Sequence, residues 1–277
     1  MDDQDKKKPW LNSIVIQEEL AGSRKINDWL LPLLHTNLVN KPLKNIKLLS
    51  VGCGFGADVD CLADAGIDAY GIEPFERTEM WDRRKHKERL KVADGRELPF
   101  DNETFDVIYC SEVLEHVGYD EVNNMNHAEV INAYKVKLIQ SKKATVNPIW
   151  KERVKFAKEL TRVLKPHGII IITTPNRHFC IDIGHWSNFF GLRIHSPFHD
   201  FTPSINDIKK LFLLECGCRE IFTLHYKNFI TWDVWTQDYP IMRFLQYFIR
   251  TYFFFLDRFS FLRSTFLSPQ LILAIRK

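Results

Sequence analysis

With 277 residues, 45% of them hydrophobic and 26% charged, the chain has room for one large α/β domain with insertions or for two small ones, and its make-up is ordinary for a soluble globular protein. A net charge of +3 is too small to argue for a nucleic-acid partner. Six scattered cysteines with no C-x-x-C or Cys/His ligand spacing argue against a zinc site or a disulfide framework. The expectation is reduced thiols, no metal and a cytoplasmic setting, since the polar stretch Met1 to Lys8 has no signal-peptide core and no apolar run of about 18 residues suggests a membrane span.

From Ser13 to Leu34 the apolar positions recur at helical spacing, with breaks expected at Gly22 and Pro32. A strand, Lys47 to Val51, then runs into Gly52-Cys53-Gly54-Phe55-Gly56, and a helix follows as far as Ala65-Gly66. This strand–turn–helix is the pattern of a nucleotide-like ligand site, where glycines let the ligand touch backbone; the lesser alternative for this segment alone is a glycine-rich turn with no ligand. The second strand, Ile67 to Ile72, ends at Glu73. A carboxylate at such a strand tip, about 20 residues past the glycines, offers only acceptors and suits the two hydroxyls of a ribose. The charged run Arg83 to Arg89 is expected to form a solvated helix.

A short third strand ends in Asp94-Gly95, and a turn through Leu98-Pro99-Phe100 leads to a buried fourth strand ending at Ser111. Glu112, Glu115 and His116 follow at its carboxyl end, where open parallel sheets place their ligands. Residues 118–152 form a polar insertion, read either as a substrate-side element or as a decorated loop. The next helix carries Phe156, Leu160, Val163 and Leu164 on one face, ends at Lys165-Pro166-His167-Gly168, and leads to a central strand, Ile169 to Thr173. The histidine-rich segment 177–203 is long enough for a lid or a binding wall. A helix (Ser204 to Glu215), a strand (Glu220 to Tyr226) and a final strand (Pro269 to Ile275) complete the chain. Between the last two strands, 241–262 is amphipathic and rich in phenylalanine. It reads as a helix packed on the sheet or on a second subunit, or as one lying at a membrane surface.

In order and spacing, Val51 to Gly56, Glu73, Asp94-Gly95, the Leu98 to Asp106 turn, Glu112 to Val117 and Leu164 to Gly168 resemble the class I S-adenosylmethionine-dependent methyltransferases, in particular the small-molecule branch that includes the ubiquinone-biosynthesis O-methyltransferases. The resemblance covers about residues 46 to 176. It implies an α/β, Rossmann-like, seven-stranded, mostly parallel sheet of order 3-2-1-4-5-7-6, with an antiparallel last strand and helices on both faces. The whole chain, 1–277, is then one domain: leading helices (1–45), a cofactor-binding core (46–176) holding the 118–152 insertion, and a substrate-side part (177–277). It further implies that Gly52, Gly54 and Gly56 pass along S-adenosylmethionine, that Glu73 holds the ribose, that Asp94 beside Gly95 faces the adenine amino group, and that Ser111 adjoins the methionine end. Phe201 matches an aromatic position before the penultimate helix.

The expected reaction is methyl transfer to an oxygen of a small or lipid-linked acceptor, with peripheral membrane contact through 241–262 an option. His116 and His199 are the candidate bases, each with a structural role as its alternative. Two rival readings stand beside it: an NAD(P)-dependent oxidoreductase, because Gly52-x-Gly54-x-x-Ala57 satisfies a relaxed dinucleotide fingerprint, and a catalytically idle scaffold. Acceptor identity and oligomeric state are not legible in the sequence.

Overall fold

The computed structural model describes residues 19–36, 38–74, 78–118, 148–179, 202–229 and 240–277. His199, Phe201 and most of both the 118–152 insertion and the 177–203 loop lie outside the described residues. Seven strands form one sheet: β1 (Lys47–Val51), β2 (Asp68–Glu73), β3 (Leu90–Val92), β4 (Phe105–Ser111), β5 (Leu164–Pro175), β6 (Glu220–Thr223) and β7 (Gln270–Arg276). Their order is β3-β2-β1-β4-β5-β7-β6. β2 runs parallel to β1 and β3, β5 parallel to β4, and β7 antiparallel to β5 and β6, as the resemblance implied. Contacts divide the chain into two units, Met1–Val92 with His225–Ser260 and Ala93–Leu224 with Phe261–Lys277.

In the first unit, helical turns run from 19 to 35 without the breaks expected at Gly22 and Pro32. A π-helical turn, Ile26–Leu30, precedes α1 (Leu31–His35), and the Leu31 N–H reaches the Ile26 carbonyl. Pro32 has no N–H for the Asp28 carbonyl, and that oxygen accepts from Asn228 Nδ2 at 3.1 Å instead. Trp29 is fully buried, its Nε1 donates to the His225 carbonyl at 3.0 Å, and its ring meets Phe229 edge-on at 4.9 Å. β1 leads through the glycine turn into α2 (Ala57–Asp64), which ends at Gly66 with φ +88°. The charged run past β2 is not a helix; it forms 3₁₀ turns at Thr78–Arg83 and Lys87–Arg89. It lacks an apolar stripe to bury, and its polar groups bond individually to acids of α2 and β2: Lys85 to Asp64, His86 N–H to Asp60 at 2.9 Å, and Arg89 to Asp68 at 2.9 Å.

The second unit is built on β5, whose Ile169 to Ile172 side chains are all buried, each contributing about 2–3 kcal/mol over an exposed one. Before them lies α3 (Pro148–Val163), which buries Phe156, Ala157, Leu160 and Val163. Leu164 already belongs to β5, a turn earlier than its place on the helical stripe suggested. Pairing shifts from Phe105↔Leu164 to Val107↔Ile169, so residues 165–168 bulge out, with His167 at φ +63°. Lys277 Nζ caps α3 on the Thr161 and Leu164 carbonyls at 2.8 and 2.7 Å. Arg162 and Glu159 hold the turn before β4: Arg162 donates to the Leu98 and Phe100 carbonyls at 3.0 and 2.9 Å, and Glu159 accepts from Leu98 N–H at 2.8 Å. Ser204 and Asp207 form a capping box that opens α4 (Ile205–Lys209), which continues as a π-helical turn, Lys210–Glu215.

Candidate active site

The glycine turn is clamped to its neighbouring strand. Gly52 and Cys53 N–H groups both donate to the Ile72 carbonyl, at 2.9 and 3.0 Å, and Gly56 N–H returns to the Cys53 carbonyl at 2.8 Å. Gly54 and Gly56 have φ of +52° and +79°, a conformation that side chains with a Cβ rarely adopt. At Gly56 a Cβ would also stand 2.6 Å from Leu90 Cδ1. The Gly54 N–H donates to Glu73 Oε2 at 2.9 Å, so the turn and the acid at the tip of β2 are directly bonded. Trp81 Nε1 donates to the Gly54 carbonyl at 2.9 Å and Arg84 Nε to the Phe55 carbonyl at 2.6 Å. The buried Cys53 thiol is pushed far up by burial and by the charges of Asp58 and Glu73, which excludes it as a nucleophile.

Under the turn, Ser50 Oγ donates to Asp58 Oδ2, and Val59 N–H bonds the other oxygen at 2.8 Å. Burial pushes the Asp58 carboxyl up to about 6 against these hydrogen bonds, and the Glu73 charge adds to the rise. The folded chain therefore keeps a proton that the unfolded chain releases near pH 4. The stability tied to it is complete below that pH and is lost as pH rises through about 6. Asp58→Asn should remove this loss, so that between pH 4 and pH 7 the variant gains roughly 1–2 kcal/mol relative to the parent. Urea unfolding of both proteins at the two pH values checks this, and parallel pH profiles would refute it.

In the second unit, Asp94 is gripped by Arg96. One carboxylate oxygen accepts from the Arg96 backbone N–H at 2.7 Å and from Nε at 3.0 Å; the other accepts from Nε at 3.0 Å and Nη2 at 2.5 Å. Burial raises the Asp94 carboxyl, but the Arg96 bonds and charge outweigh it and hold the group below its ordinary value. Arg96 also bonds Glu152 at 3.1 Å. Gly95 sits half-buried between the two partners.

At the end of β4, Ser111 Oγ lies 2.9 Å from Thr173 Oγ1, which donates to Glu112 Oε1 at 2.7 Å. The one Thr173 hydroxyl proton goes to Glu112, so Ser111 is the donor to Thr173. Gln270 Nε2 donates to the same Glu112 oxygen at 2.5 Å. Glu112 has φ +56°, and its N–H bonds the Thr173 carbonyl at 2.9 Å. Glu115 is buried, accepts from Thr174 Oγ1 at 3.0 Å, and is pushed well up by burial and by the Glu112 charge, which favours its protonated form. His116 is exposed.

Residues 18–212 match the methyltransferase-domain family. The chain belongs to this family. This methyltransferase is similar to the ubiquinone biosynthesis O-methyltransferase of Pelagibacter ubique, with 29% identity over 142 residues that cover 50% of this chain and 45% of that one. To the mitochondrial ubiquinone biosynthesis O-methyltransferase of Bos taurus it is 36% identical over 115 residues, covering 35% and 31% of the two chains. It thus spans less than half the length of these curated relatives. A crystal structure of an S-adenosylmethionine dependent methyltransferase from Mesorhizobium loti is similar at 12% identity and a TM-score of 0.46, with 89% and 96% of the two chains covered.

Of the site residues read from the sequence of this methyltransferase, Gly54 and Glu73 are brought into contact, while Ser111 and Asp94 are each held by partners that sequence reasoning missed. Arg84 was hidden in the charged run Arg83 to Arg89 that was read as solvated, while Trp81 and Arg96 were not singled out. Thr173 and Gln270 reach Glu112 from β5 and β7, far along the chain, and no local pattern points to them. Among the described residues no group of three His, Cys, Asp or Glu side chains could hold a metal ion.

Proposed function

We propose that this chain transfers the methyl group of S-adenosylmethionine to an oxygen of a small or amphiphilic acceptor. The observation that carries the reading is the bond from Gly54 N–H to Glu73, which joins a bare-backbone turn to a carboxylate at an adjacent strand tip. That pair suits a nucleoside: the backbone of Gly52, Gly54 and Gly56 offers a surface without side chains, and Glu73 offers acceptors to ribose hydroxyls. The fit is less direct at Asp94, whose carboxylate would have to exchange part of its Arg96 grip for the adenine amino group. Ser111 would border the methionine end, oriented by its hydrogen bond to Thr173.

The bound sulfonium supplies an activated methyl group, so the chain's residues need only align the acceptor, exclude water and accept a proton. His116, next to the end of β4, is proposed to take the acceptor's proton in its neutral form. His199 is a second base candidate on the same chemical ground. The acceptor oxygen assignment rests on the likeness to the O-methyltransferases. Calorimetric titration of the full chain with S-adenosylhomocysteine and, separately, with NAD tests the cofactor assignment. Micromolar or tighter binding of the first alone is expected; binding of NAD alone would overturn it.

A further inference from the structure

The first unit carries a helix, α5 (Pro240–Arg258), whose two faces differ in chemistry. One face anchors it. Leu256 is fully buried, Phe253 meets Tyr226 at 4.9 Å, and Asp257 accepts the backbone N–H groups of Tyr226 and Lys227 at 2.6 and 2.7 Å. Asp257 is the one acid between 246 and 258, and these bonds turn it inward.

The other face shows Tyr247, Phe248, Thr251, Phe254, Phe255 and Arg258, the spacing of a single helical stripe. Tyr247, Phe248, Phe254 and Phe255 are 71%, 56%, 72% and 50% exposed, and Arg250 and Arg258 are exposed with them. Four rings this open form a patch that the fold of the unit does not require, and patches of that kind mark a contact surface.

We propose that this face docks on the surface of an anionic lipid bilayer. Aromatic rings suit the boundary between headgroups and acyl chains, and two arginines beside them, with no acid on the stripe, complement anionic headgroups. The helix would lie in that boundary: among the described residues none is long and apolar enough to cross a membrane. A second copy fits the face less well, because a two-fold contact would bring the arginines of both stripes together with no acid to offset them. The inference stands apart from the methyl-transfer reading, and its test needs no cofactor.

The test is co-sedimentation of the full chain with vesicles of phosphatidylcholine alone and of phosphatidylcholine with about one-third phosphatidylserine. The parent chain should pellet with the anionic vesicles. Arg250→Glu with Arg258→Glu, and separately Tyr247→Ser with Phe254→Ser, should each lower partitioning by about tenfold or more. Thermal melts identify which double variant is folded, and a folded one decides the result. No pelleting of the parent chain with anionic vesicles would overturn the proposal, as would equal partitioning of parent and folded variants. Sedimentation velocity adds a further arm: a dimer abolished by the same substitutions would assign the face to a second copy.

Discussion

Glu73→Ala is expected to weaken S-adenosylhomocysteine binding by roughly a hundredfold or more while leaving the chain folded. Two losses combine. The ribose hydroxyls lose a charged acceptor, and a hydrogen bond to a charged group contributes about 1.5–3 kcal/mol. The Gly54 N–H also loses its 2.9 Å bond to Oε2, so the turn is less well ordered before the ligand arrives. Glu73→Gln separates the two, because an amide oxygen can still accept from Gly54 but offers the ribose one acceptor and no charge; its affinity should fall between those of parent and alanine variant. Calorimetry with S-adenosylhomocysteine gives the affinities, and thermal melts without ligand show whether the fold survives. An alanine variant that binds within about threefold of the parent would mean that Glu73 does not line the cofactor site.

Gly71→Val should be the more damaging change to stability. Gly71 lies within β2, where a Cβ would stand 2.7 Å from Val59 Cγ2, 2.8 Å from Cys53 Sγ and 2.9 Å from Leu90 Cδ2. Val59 is fully buried and Cys53 and Leu90 nearly so, so none can retreat without opening the packing of α2 on β2. A cost of about 3–4 kcal/mol is expected, at the upper end for overpacking because three neighbours are displaced at once. The displaced Cys53 belongs to the glycine turn, so cofactor affinity should fall as well. Urea unfolding checks the first effect; a variant with the parent's midpoint and slope would show that β2 and α2 are not packed as described.

Much of this was legible in the sequence for physical reasons that can be named. An apolar run ending in glycines dictates a strand and a turn, and β1 lies where that pattern put it. Glu73 was readable because it ends the next strand, and the contact with Gly54 follows from β1 and β2 running side by side. The strand order came from the resemblance; apolar periodicity alone does not say which strands are neighbours. The charged run Arg83 to Arg89 was misread as helix although it has no apolar stripe, which is the feature that holds a surface helix to its protein. The break expected at Pro32 failed because a π-helical turn and a distant asparagine absorbed the proline's missing donor. The grip on Glu112 was illegible: Gln270 is 158 residues away, and the two meet only because β7 returns antiparallel beside β5. Arg96 is a different case, since an arginine two residues after Asp94 is a visible local partner.

The most direct test of the account is the transfer itself. The full chain is incubated with S-adenosylmethionine labelled in its methyl group and with a lipid extract, followed by mass spectrometry of the products. The account predicts S-adenosylhomocysteine in equal amount to a new methyl ether on an acceptor that formerly carried a hydroxyl. Label that reaches only nitrogen or carbon would contradict the oxygen assignment. A chain that binds S-adenosylhomocysteine tightly and transfers no label to any acceptor in the extract would contradict the catalytic reading.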